Sequence, residues 1–360
     1  MLASPLHLEI GAGAVEGVPQ LLHDRYISTT GSVLVAVGPS TGAEIWERLE
    51  PALPGATFHA VHEASLAAAT ELQAALGERG YDAVVAIGGG KTLDVAKYAA
   101  TRAGIPMIAV ATNLAHDGIC SPVASLEHAH GKGSFGVAMP LSVVVDLDYV
   151  RAAPTPLVSG GVGDVVSNLS AIEDWLLAGA ERGEPVDGLA LAFARTAAEA
   201  VIGRTDSVRD EAFLVVLAEA LVLSGMAMAA AGTSRPCSGA CHEILHAIDQ
   251  LFPGTAGHGE LAGLGAAFAT YLRDQEDRFE QVVTCLTRHE LPCLPGEIGL
   301  TEEQFVSAVL AAPETRPDRY TILEHLAMDE DRARERVAGF VAAVHRVRST
   351  VPTPADRPLG

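Results

Sequence analysis

The pattern of hydrophobic and polar positions divides the chain into two parts. In the first part, short β-branched runs at residues 32–37, 83–87, 107–110 and 142–145 alternate with stretches of helical spacing. This alternation is typical of βαβ units in a parallel sheet. Beyond Pro154, alanine- and leucine-rich stretches such as 189–202 and 211–231 carry apolar residues at helical spacing. We therefore predict an α/β domain followed by an all-helical domain.

The domain boundary is expected where prolines and glycines cluster, between Pro154 and Gly160. We place the α/β domain at residues 1–157 and the helical domain at 158–350. Residues 351–360 carry three prolines and are expected to form a loose tail. No strand pattern precedes Gly11-Ala12-Gly13, so we do not interpret these glycines as a G-x-G-x-x-G dinucleotide fingerprint.

Composition and charge narrow the class of protein. The chain has 360 residues, 49% of them hydrophobic and 19% charged, as in a globular protein. A formal charge of -21 argues against nucleic-acid and anionic-membrane partners. The apolar run at 220–231 is too short to span a bilayer, and no basic segment followed by an apolar stretch opens the chain, so we expect a soluble cytoplasmic protein.

The five cysteines contain no C-x-x-C pair, so neither disulfides nor a zinc knuckle is expected. We interpret them as buried thiols. Cys237 and Cys241 lie close to histidines in the sequence and remain alternative metal ligands.

A run of three glycines ends the predicted strand at 83–87 and opens a helix that continues Lys91-Thr92-Leu93-Asp94. Residues without side chains at a helix start let a pyrophosphate approach backbone N–H groups, which suits a dinucleotide. A tight turn is the alternative. Gly38 ends the predicted strand at 32–37, and the next residues include no acid to bind an adenosine ribose. The absence of a carboxylate there permits NADP(H) as well as NAD(H).

Polar residues at 112–118 (TNLAHDG) follow the predicted strand at 107–110. Open α/β sheets bind ligands at the carboxyl ends of their strands. Asp117, with Ser121 one helical turn beyond it, is therefore a candidate site residue, and an aspartate that caps a turn is the alternative.

The histidines of the second half indicate a metal site. His242 and His246 are one helical turn apart, and His258 follows in a Gly-His-Gly-Glu segment. Asp164, after the glycines at 160–163, is either a helix N-cap or an oxygen ligand for the same metal. The string HEILH also matches the H-E-x-x-H signature of zinc proteases, but Asp249 occupies the glycine position of its extended form.

Taken together, these motifs resemble the glycerol-1-phosphate dehydrogenase family, a branch of the iron-containing alcohol dehydrogenase and dehydroquinate synthase-like superfamily. The resemblance covers nearly the whole chain. It is carried by residues 88–97 (GGGKTLDVAK), 116–122 (HDGICSP), 151–154, 163–164, 168–175, 223–249 (LSGMAMAAAGTSRPCSGACHEILHAID) and 258–260 (HGE).

The resemblance implies the residue roles at the site. Asp164, His242 and His258 would bind a metal, usually Zn²⁺, with Fe²⁺ or Ni²⁺ as alternatives, while Asp117 and His246 would face the substrate as catalytic residues. The residues that the resemblance implies as contacts of NADPH or NADH are Gly88, Gly89, Gly90, Lys91, Thr92, Thr112, Asn113, Ala115 and Ser121. We add Gly38, which ends a predicted strand, and Asp94, which follows the three glycines, to the expected cofactor contacts.

The implied activity is metal-dependent interconversion of a small polar or phosphorylated ketone or aldehyde and its alcohol, with dihydroxyacetone phosphate to sn-glycerol 1-phosphate as the leading expectation. The metal would polarise the carbonyl for hydride attack, and His246, or Asp117 through water, would relay the proton. Alternatives are a sugar-phosphate cyclase of the dehydroquinate synthase type, an alcohol dehydrogenase with another carbonyl substrate and, remotely, a zinc metalloprotease. A homo-oligomer is expected.

Three residues depart from the family pattern. Cys241 replaces a glutamate, Leu261 replaces a glutamine and Asn113 stands where a small residue is usual. Such changes near a pocket alter substrate choice, so they leave the substrate open. Arg235 and Lys132 are candidate phosphate-binding residues, with ordinary surface cations as the alternative.

Overall fold

The computed structural model describes residues 4–25, 27–129 and 131–349. The chain divides into two compact units, Met1–Pro154 and Thr155–Gly360, which we call unit 1 and unit 2. The tail expected at 351–360 lies outside the described residues.

Unit 1 is built around a six-stranded parallel sheet with strand order β1-β8-β5-β4-β2-β3 and a separate antiparallel hairpin, β6-β7. The strands are β1 (His7–Gly11), β2 (Val33–Val37), β3 (Thr57–Ala60), β4 (Ala83–Gly88), β5 (Met107–Ala111), β6 (Val123–His128), β7 (Gly131–Gly136) and β8 (Ser142–Asp146). The helices are α1 (Val18–Asp24), α2 (Thr41–Leu49), α3 (Leu66–Gly77), α4 (Gly90–Ala103) and α5 (Leu147–Ala152).

The four strands predicted from apolar runs are confirmed as β2, β4, β5 and β8. Every residue in these four strands is buried, because they lie inside the sheet and both faces are covered. The expectation that no strand precedes Gly11 is wrong, since β1 ends at that residue. Among the described residues, strand β1 pairs with β8 alone, at the edge of the sheet, and it is half-exposed, so it has no continuous apolar run.

The order of the strands creates a switch point between β2 and β4. From β2 the chain moves outward to β3, then returns to β4 on the other side of β2 and continues to β5. Open α/β sheets bind ligands beyond the carboxyl ends of the strands at such a point. Gly38 follows β2 and Gly88 ends β4, so both glycines lie at the edge of the sheet where this rule places a ligand.

Unit 2 is helical, and no strand occurs among its described residues. Its helices are α6 (Pro156–Arg182), α7 (Gly188–Ile202), α8 (Glu211–Ala231), α9 (Ala240–Leu251), α10 (His258–Leu272), α11 (Glu276–Arg288), α12 (Glu302–Ala311), α13 (Ile322–Leu326) and α14 (Glu330–Arg348). The two helices predicted at 189–202 and 211–231 are confirmed as α7 and α8. Helix α8 is long and apolar enough to cross a membrane, but 61% of its apolar window is buried inside the protein, as expected of a core helix.

The start of α6 differs from the expectation that glycines 160–163 precede a helix. The helix begins at Pro156, whose fixed φ suits a first helical position, and the glycines lie within it. Close packing against α10 explains them in part. A Cβ at Gly163 would overlap the Gly259 carbonyl, and a Cβ at Gly259 would lie 1.8 Å from the Gly160 carbonyl oxygen. The backbones of α6 and α10 therefore approach more closely than side chains would allow.

Candidate metal centre and cofactor site

The candidate metal ligands come from three helices of unit 2. Asp164 lies in the third turn of α6, His242 in the first turn of α9, and His258 is the first residue of α10. Asp164 is therefore not the N-cap that its glycine neighbours suggested as one reading. The close contact of α6 with α10, and of Gly265 in α10 with the Cys241 backbone in α9, brings the three side chains together.

The ligand atoms of these three residues all lie within 4.8 Å of one another. Asp164 Oδ1 is 3.7 Å from His242 Nε2 and 3.4 Å from His258 Nε2. The two imidazole rings are 5.2 Å apart at an angle of 57°. At ordinary zinc–ligand distances, tetrahedral neighbours are about 3.3–3.6 Å apart. The nitrogen–oxygen spacing of the cluster thus fits a small divalent ion.

Burial and charge prepare the cluster for a cation. Burial alone would raise the pKa of Asp164, but hydrogen bonds with His242 and His258 outweigh it and hold that pKa well below its usual range. Burial also lowers the pKa of His242 to about 4. At neutral pH the site therefore presents a carboxylate and a neutral His242 imidazole, the protonation states that a divalent metal requires.

Helix α9 is anchored at its start by Asp174 of α6. The Asp174 carboxylate accepts from the Ala240 amide at 2.8 Å and from the Ile322 amide at 2.8 Å, and it pairs with Arg273. The side chain is buried, so all three bonds are shielded from water. Asp174 thereby fixes the first turn of α9, which carries His242, although nothing in the sequence pattern marked it.

Cys241 is a buried thiol beside His242, as interpreted from the sequence, and it is not a member of the ligand cluster. Its Sγ lies 3.3 Å from His242 Nδ1. Burial raises the pKa of Cys241 to about 12, so it remains a thiol. The outer nitrogen of His242 therefore faces a weak sulfur acceptor, where histidine ligands usually face a carboxylate or carbonyl. Leu261, another departure from the family pattern, is fully buried in α10.

His246 lies one turn beyond His242, with the two rings 6.4 Å apart, but its Nε2 accepts a hydrogen bond from Arg316 Nη2 at 2.9 Å. Glu243 is buried and its Oε2 accepts from Thr321. A zinc protease needs His246 as a ligand and Glu243 at the metal. The structure instead groups His242 with Asp164 and His258, so the protease reading of HEILH is wrong.

The glycines of the candidate cofactor site converge at the switch point of unit 1. Gly38 donates to the Ile87 carbonyl at 3.0 Å, and Thr112 donates to the Gly88 carbonyl at 3.1 Å, so the ends of β2, β4 and β5 lie side by side. A Cβ at Gly38 or Gly88 would lie within 2.8 Å of Thr92 Oγ1. Helix α4 starts directly at Gly90 with Gly89 as its N-cap, and no side chain caps it by a hydrogen bond, so its backbone amides and positive end suit an anion.

Two side chains lie over this helix start. The Asn113 amide packs against Gly89, and its Oδ1 accepts from the Ala115 amide at 3.3 Å. The His116 ring packs against Gly90, and its Nδ1 accepts from the Gly118 amide at 3.0 Å. His116 was not singled out from the sequence, because a histidine in a loop carries no periodic signal.

The remaining cofactor candidates differ in exposure. Lys91 is exposed in the first turn of α4, whereas Asp94 is buried and forms an ion pair with Lys97 at 2.9 Å. Asp94 Oδ2 also accepts from the Ser125 amide. Lys97 Nζ in turn donates to the Ser121 carbonyl at 3.3 Å. Asp94 and Ser121 thus belong to one buried network that holds the segment following the short 3₁₀ helix at Asp117–Ile119.

The two cations proposed from the sequence for phosphate binding differ in their surroundings. Arg235 is buried and its guanidinium pairs with Glu184, so it is committed to an internal ion pair. Lys132 is exposed on β7 of unit 1. Arg316, which contacts His246, was missed because it lies in an irregular segment.

Solved structures with similar folds include glycerol dehydrogenase from Schizosaccharomyces pombe, with a TM-score of 0.79, 18% identity, and coverage of 100% of this chain and 97% of that chain. A probable glycerol dehydrogenase from Sinorhizobium meliloti has a TM-score of 0.76, 21% identity, and coverage of 96% and 99%. Residues 9–154 match the family model described as iron-containing alcohol dehydrogenase. Fold and site thus resemble those of the iron-containing alcohol dehydrogenase class.

Curated relatives define the family within that class. A glycerol-1-phosphate dehydrogenase (NAD(P)+) from Methanosphaerula palustris is 36% identical over 328 residues, which cover 89% of this chain and 89% of the relative. The enzyme of that name from Hyperthermus butylicus is 35% identical, with coverage of 94% and 98%. The chain belongs to the glycerol-1-phosphate dehydrogenase family of enzymes.

Proposed function

We propose that this enzyme reduces dihydroxyacetone phosphate to sn-glycerol 1-phosphate with NADPH or NADH. The observation that carries the proposal is the convergence of Asp164, His242 and His258, in a chain whose relatives are named glycerol-1-phosphate dehydrogenase (NAD(P)+). We propose Zn²⁺ as the bound metal. One carboxylate and two imidazoles are ligands that suit this ion and also accommodate Fe²⁺ or Ni²⁺.

A zinc ion held by three protein ligands would keep one coordination position for the substrate. It would act there as a Lewis acid that polarises the substrate carbonyl. The role of the chain is to hold the ligands in reactive protonation states. The buried Asp164 carboxylate supplies negative charge, and the lowered pKa of His242 keeps that imidazole neutral at physiological pH.

Reduction of a ketone to an alcohol also consumes a proton, and we assign its delivery to His246. This side chain is half-buried on the same face of α9 as His242, which suits a group that exchanges protons with both substrate and solvent. Asp117 is the second candidate and would act through a water molecule. In the reverse direction the same group accepts the proton of the alcohol.

Unit 1 is the proposed cofactor-binding part, and the cofactor supplies the hydride. Gly88, Gly89 and Gly90 offer backbone amides to the pyrophosphate at the start of α4. Gly38, Thr112 and Asn113 surround the same strand ends. Lys91 is exposed beside them and supplies a local positive charge in a chain of formal charge -21.

The test is oxidation of NADPH and of NADH by zinc-loaded enzyme with dihydroxyacetone phosphate, followed by absorbance, with a chelated sample as control. We expect turnover that is lost after chelation and restored by zinc. Absence of turnover, despite measured binding of cofactor and metal, would retain the cofactor and metal assignments but reject the substrate, and a panel of other ketones and aldehydes would follow.

The ligand set has its own test. Asp164→Ala should abolish stoichiometric metal binding, measured by elemental analysis after dialysis, because the oxygen ligand and its charge are lost. Glu173→Ala is the matched control, since Glu173 lies on the same helix with a 36% exposed side chain. Stoichiometric metal in Asp164→Ala would contradict the ligand set.

We also propose a homo-oligomer in the cytoplasm that acts on a small molecule. The edge strand β1 begins beside Leu6, which is 68% exposed, and includes Leu8, which is 38% exposed; an unpaired apolar edge of this kind favours association. Buried cysteine thiols suit a reducing compartment. Light scattering of the purified protein tests the first point, and cell fractionation tests the second.

A further inference from the structure

Arg316 lies between the short 3₁₀ helix at Ala312–Thr315 and helix α13, against the helix that carries the histidines. Its Nη2 donates to His246 Nε2 at 2.9 Å. A guanidinium has five N–H groups, and within the described part of the chain this is its one side-chain hydrogen bond. Four N–H groups of a half-buried cation therefore remain available beside a residue of the proposed active site.

Arg316 has no carboxylate oxygen within 4.0 Å among the described residues, and the same is true of its neighbour Arg319. Arg319 donates instead to the Ser238 carbonyl and to Ser234 Oγ, which are uncharged. This is unusual in a chain with 45 acidic residues and 24 lysines and arginines. The two other buried arginines of unit 2 already described, Arg235 and Arg273, are each paired with an acid.

The positive charge around Arg316 is only partly offset. Burial lowers the pKa of Arg316 below its usual range, although the nearby Glu243 carboxyl opposes that effect. Burial, with repulsion by Arg316 and Arg235, lowers the pKa of Arg319 to about 10. Burial of cations without paired anions costs free energy, so a bound anion would stabilise this part of unit 2.

We propose that Arg316 binds the phosphate group of the substrate and that Arg319 is a positioning residue for it. The identity of the substrate rests on the proposed function, whereas the anion site rests on the arginines themselves. A guanidinium can bind two phosphate oxygens through parallel N–H groups, which a lysine cannot do. Arg319 donates its own backbone amide to the Arg316 carbonyl at 2.9 Å and so fixes the turn that carries Arg316.

The location gives this anion site a role in catalysis. Arg316 contacts His246, and His246 lies 6.4 Å, ring to ring, from the metal ligand His242. A phosphate held by Arg316 therefore lies on the face of α9 that carries both histidines. The substrate would be oriented by its phosphate at one end and by its carbonyl at the other, which distinguishes a triose phosphate from the unphosphorylated triose.

The test compares wild type with Arg316→Gln as zinc-loaded, full-length enzymes. We expect the variant to raise the KM for dihydroxyacetone phosphate by roughly 10- to 100-fold, the range for loss of a hydrogen-bonded charge pair. Because Arg316 also contacts His246, the discriminating readout is the ratio of KM values: the KM for dihydroxyacetone phosphate should rise at least about tenfold more than the KM for unphosphorylated dihydroxyacetone. The KM for NADPH should change less than about twofold. Arg334→Gln is the matched control, because Arg334 pairs with acids on the surface of α14.

A second readout does not depend on turnover. Inorganic phosphate should bind the zinc-loaded wild type by titration calorimetry, and Arg316→Gln should weaken that binding by at least about tenfold. Arg316→Lys, which keeps the charge without the planar fork, should give an intermediate affinity. Circular dichroism and zinc content show whether Arg316→Gln is folded. If it is not, the phosphate affinity of Arg316→Lys relative to wild type decides the question.

The outcomes separate this inference from the proposed function. Turnover of dihydroxyacetone phosphate with an unchanged KM in Arg316→Gln overturns the phosphate site and leaves the function intact. Absence of turnover in the wild type, with phosphate binding that depends on Arg316, overturns the substrate and supports the anion site. Phosphate binding of equal strength in the wild type and in both Arg316 variants, or none in the wild type, overturns the anion site.

Discussion

The close contact between α6 and α10 predicts that one added methyl group will disrupt the proposed metal centre. The perturbation is Gly259→Ala, next to the proposed ligand His258. Its Cβ would lie 1.8 Å from the Gly160 carbonyl oxygen, whereas real Cβ atoms essentially never come within 3.0 Å of another heavy atom. The neighbour is backbone, so it cannot rotate away as a side chain would.

The size of the effect follows from this overlap. The two helices have to separate by about 1.2 Å before the methyl group fits, since 3.0 Å is the lower limit for the contact. Metal–ligand distances tolerate changes of only about 0.2 Å. Because Asp164 lies on one helix and His258 on the other, we expect zinc affinity to fall on the order of 100-fold, and the free energy of unfolding to fall by about 1–3 kcal/mol.

The assay is competition for zinc with a chelator of known affinity, combined with urea unfolding of the metal-free protein. Gly188→Ala is the matched control, because Gly188 also lies at the start of a helix in unit 2 but has no heavy atom within 4 Å of an added Cβ. Wild-type zinc affinity in Gly259→Ala would refute the argument that backbone contact between the helices sets the ligand geometry.

Three further predictions concern other parts of the molecule. Burial lowers the pKa of His242 from 6.5 to about 4. As the pH falls, the His242 imidazole therefore becomes protonated in the unfolded chain before it does so in the folded protein. The free energy of unfolding of the metal-free protein should then fall by up to about 3 kcal/mol between pH 6.5 and pH 4. Urea unfolding across that range measures the loss, and a slope that His242→Gln leaves unchanged would contradict it. Asp174→Ala should lower the free energy of unfolding by about 3–5 kcal/mol because Arg273 loses its buried partner. Urea unfolding of Asp174→Ala and of the control Glu173→Ala measures this effect. Equal decreases in the free energy of unfolding of the two variants would argue against it. Ser40→Asp, after β2, should raise the KM for NADPH on the order of tenfold through repulsion of the 2'-phosphate, with little effect on NADH. Steady-state kinetics measures the KM for both cofactors. Equal changes in the two KM values would exclude the end of β2 as the site of the adenosine ribose.

The sequence predicted the interior of the sheet but not its edges. Strands β4 and β5 are buried on both faces, so they appear in the sequence as continuous apolar runs. Strands β1 and β3 are short edge strands with mixed burial, and β6 and β7 form a hairpin rich in exposed positions. Their pairing depends on neighbours that are distant in the chain, which periodicity does not report.

The candidate site was predictable where local spacing and family motifs carried it. His242, His258 and Asp164 were expected to converge, and the structure brings them together. The start of α6 at Pro156, two turns before Asp164, was not predicted. Glycines usually end helices, and the opposing backbone of α10 explains in part the glycines inside this helix.

Arg316 illustrates the same limit at the site itself. Its segment between the 3₁₀ helix and α13 has no repeating pattern, and an arginine in such a segment is usually exposed. Only the coordinates reveal that it is half-buried against His246 and has no described carboxylate oxygen within 4.0 Å. Asp174 was missed for the related reason that its three partners come from separate helices and turns.

The three proposed metal ligands are separated by 78 and 16 positions along the chain, from Asp164 to His242 and from His242 to His258. A zinc ion that joins them would close loops of those lengths and act as a reversible cross-link. In chain-entropy terms, closing a covalent loop of this size range restricts the unfolded state by about 3–5 kcal/mol. Thermal resistance of unit 2 would therefore depend on the free zinc concentration, so the supply of metal would control the lifetime of the folded enzyme as well as its activity.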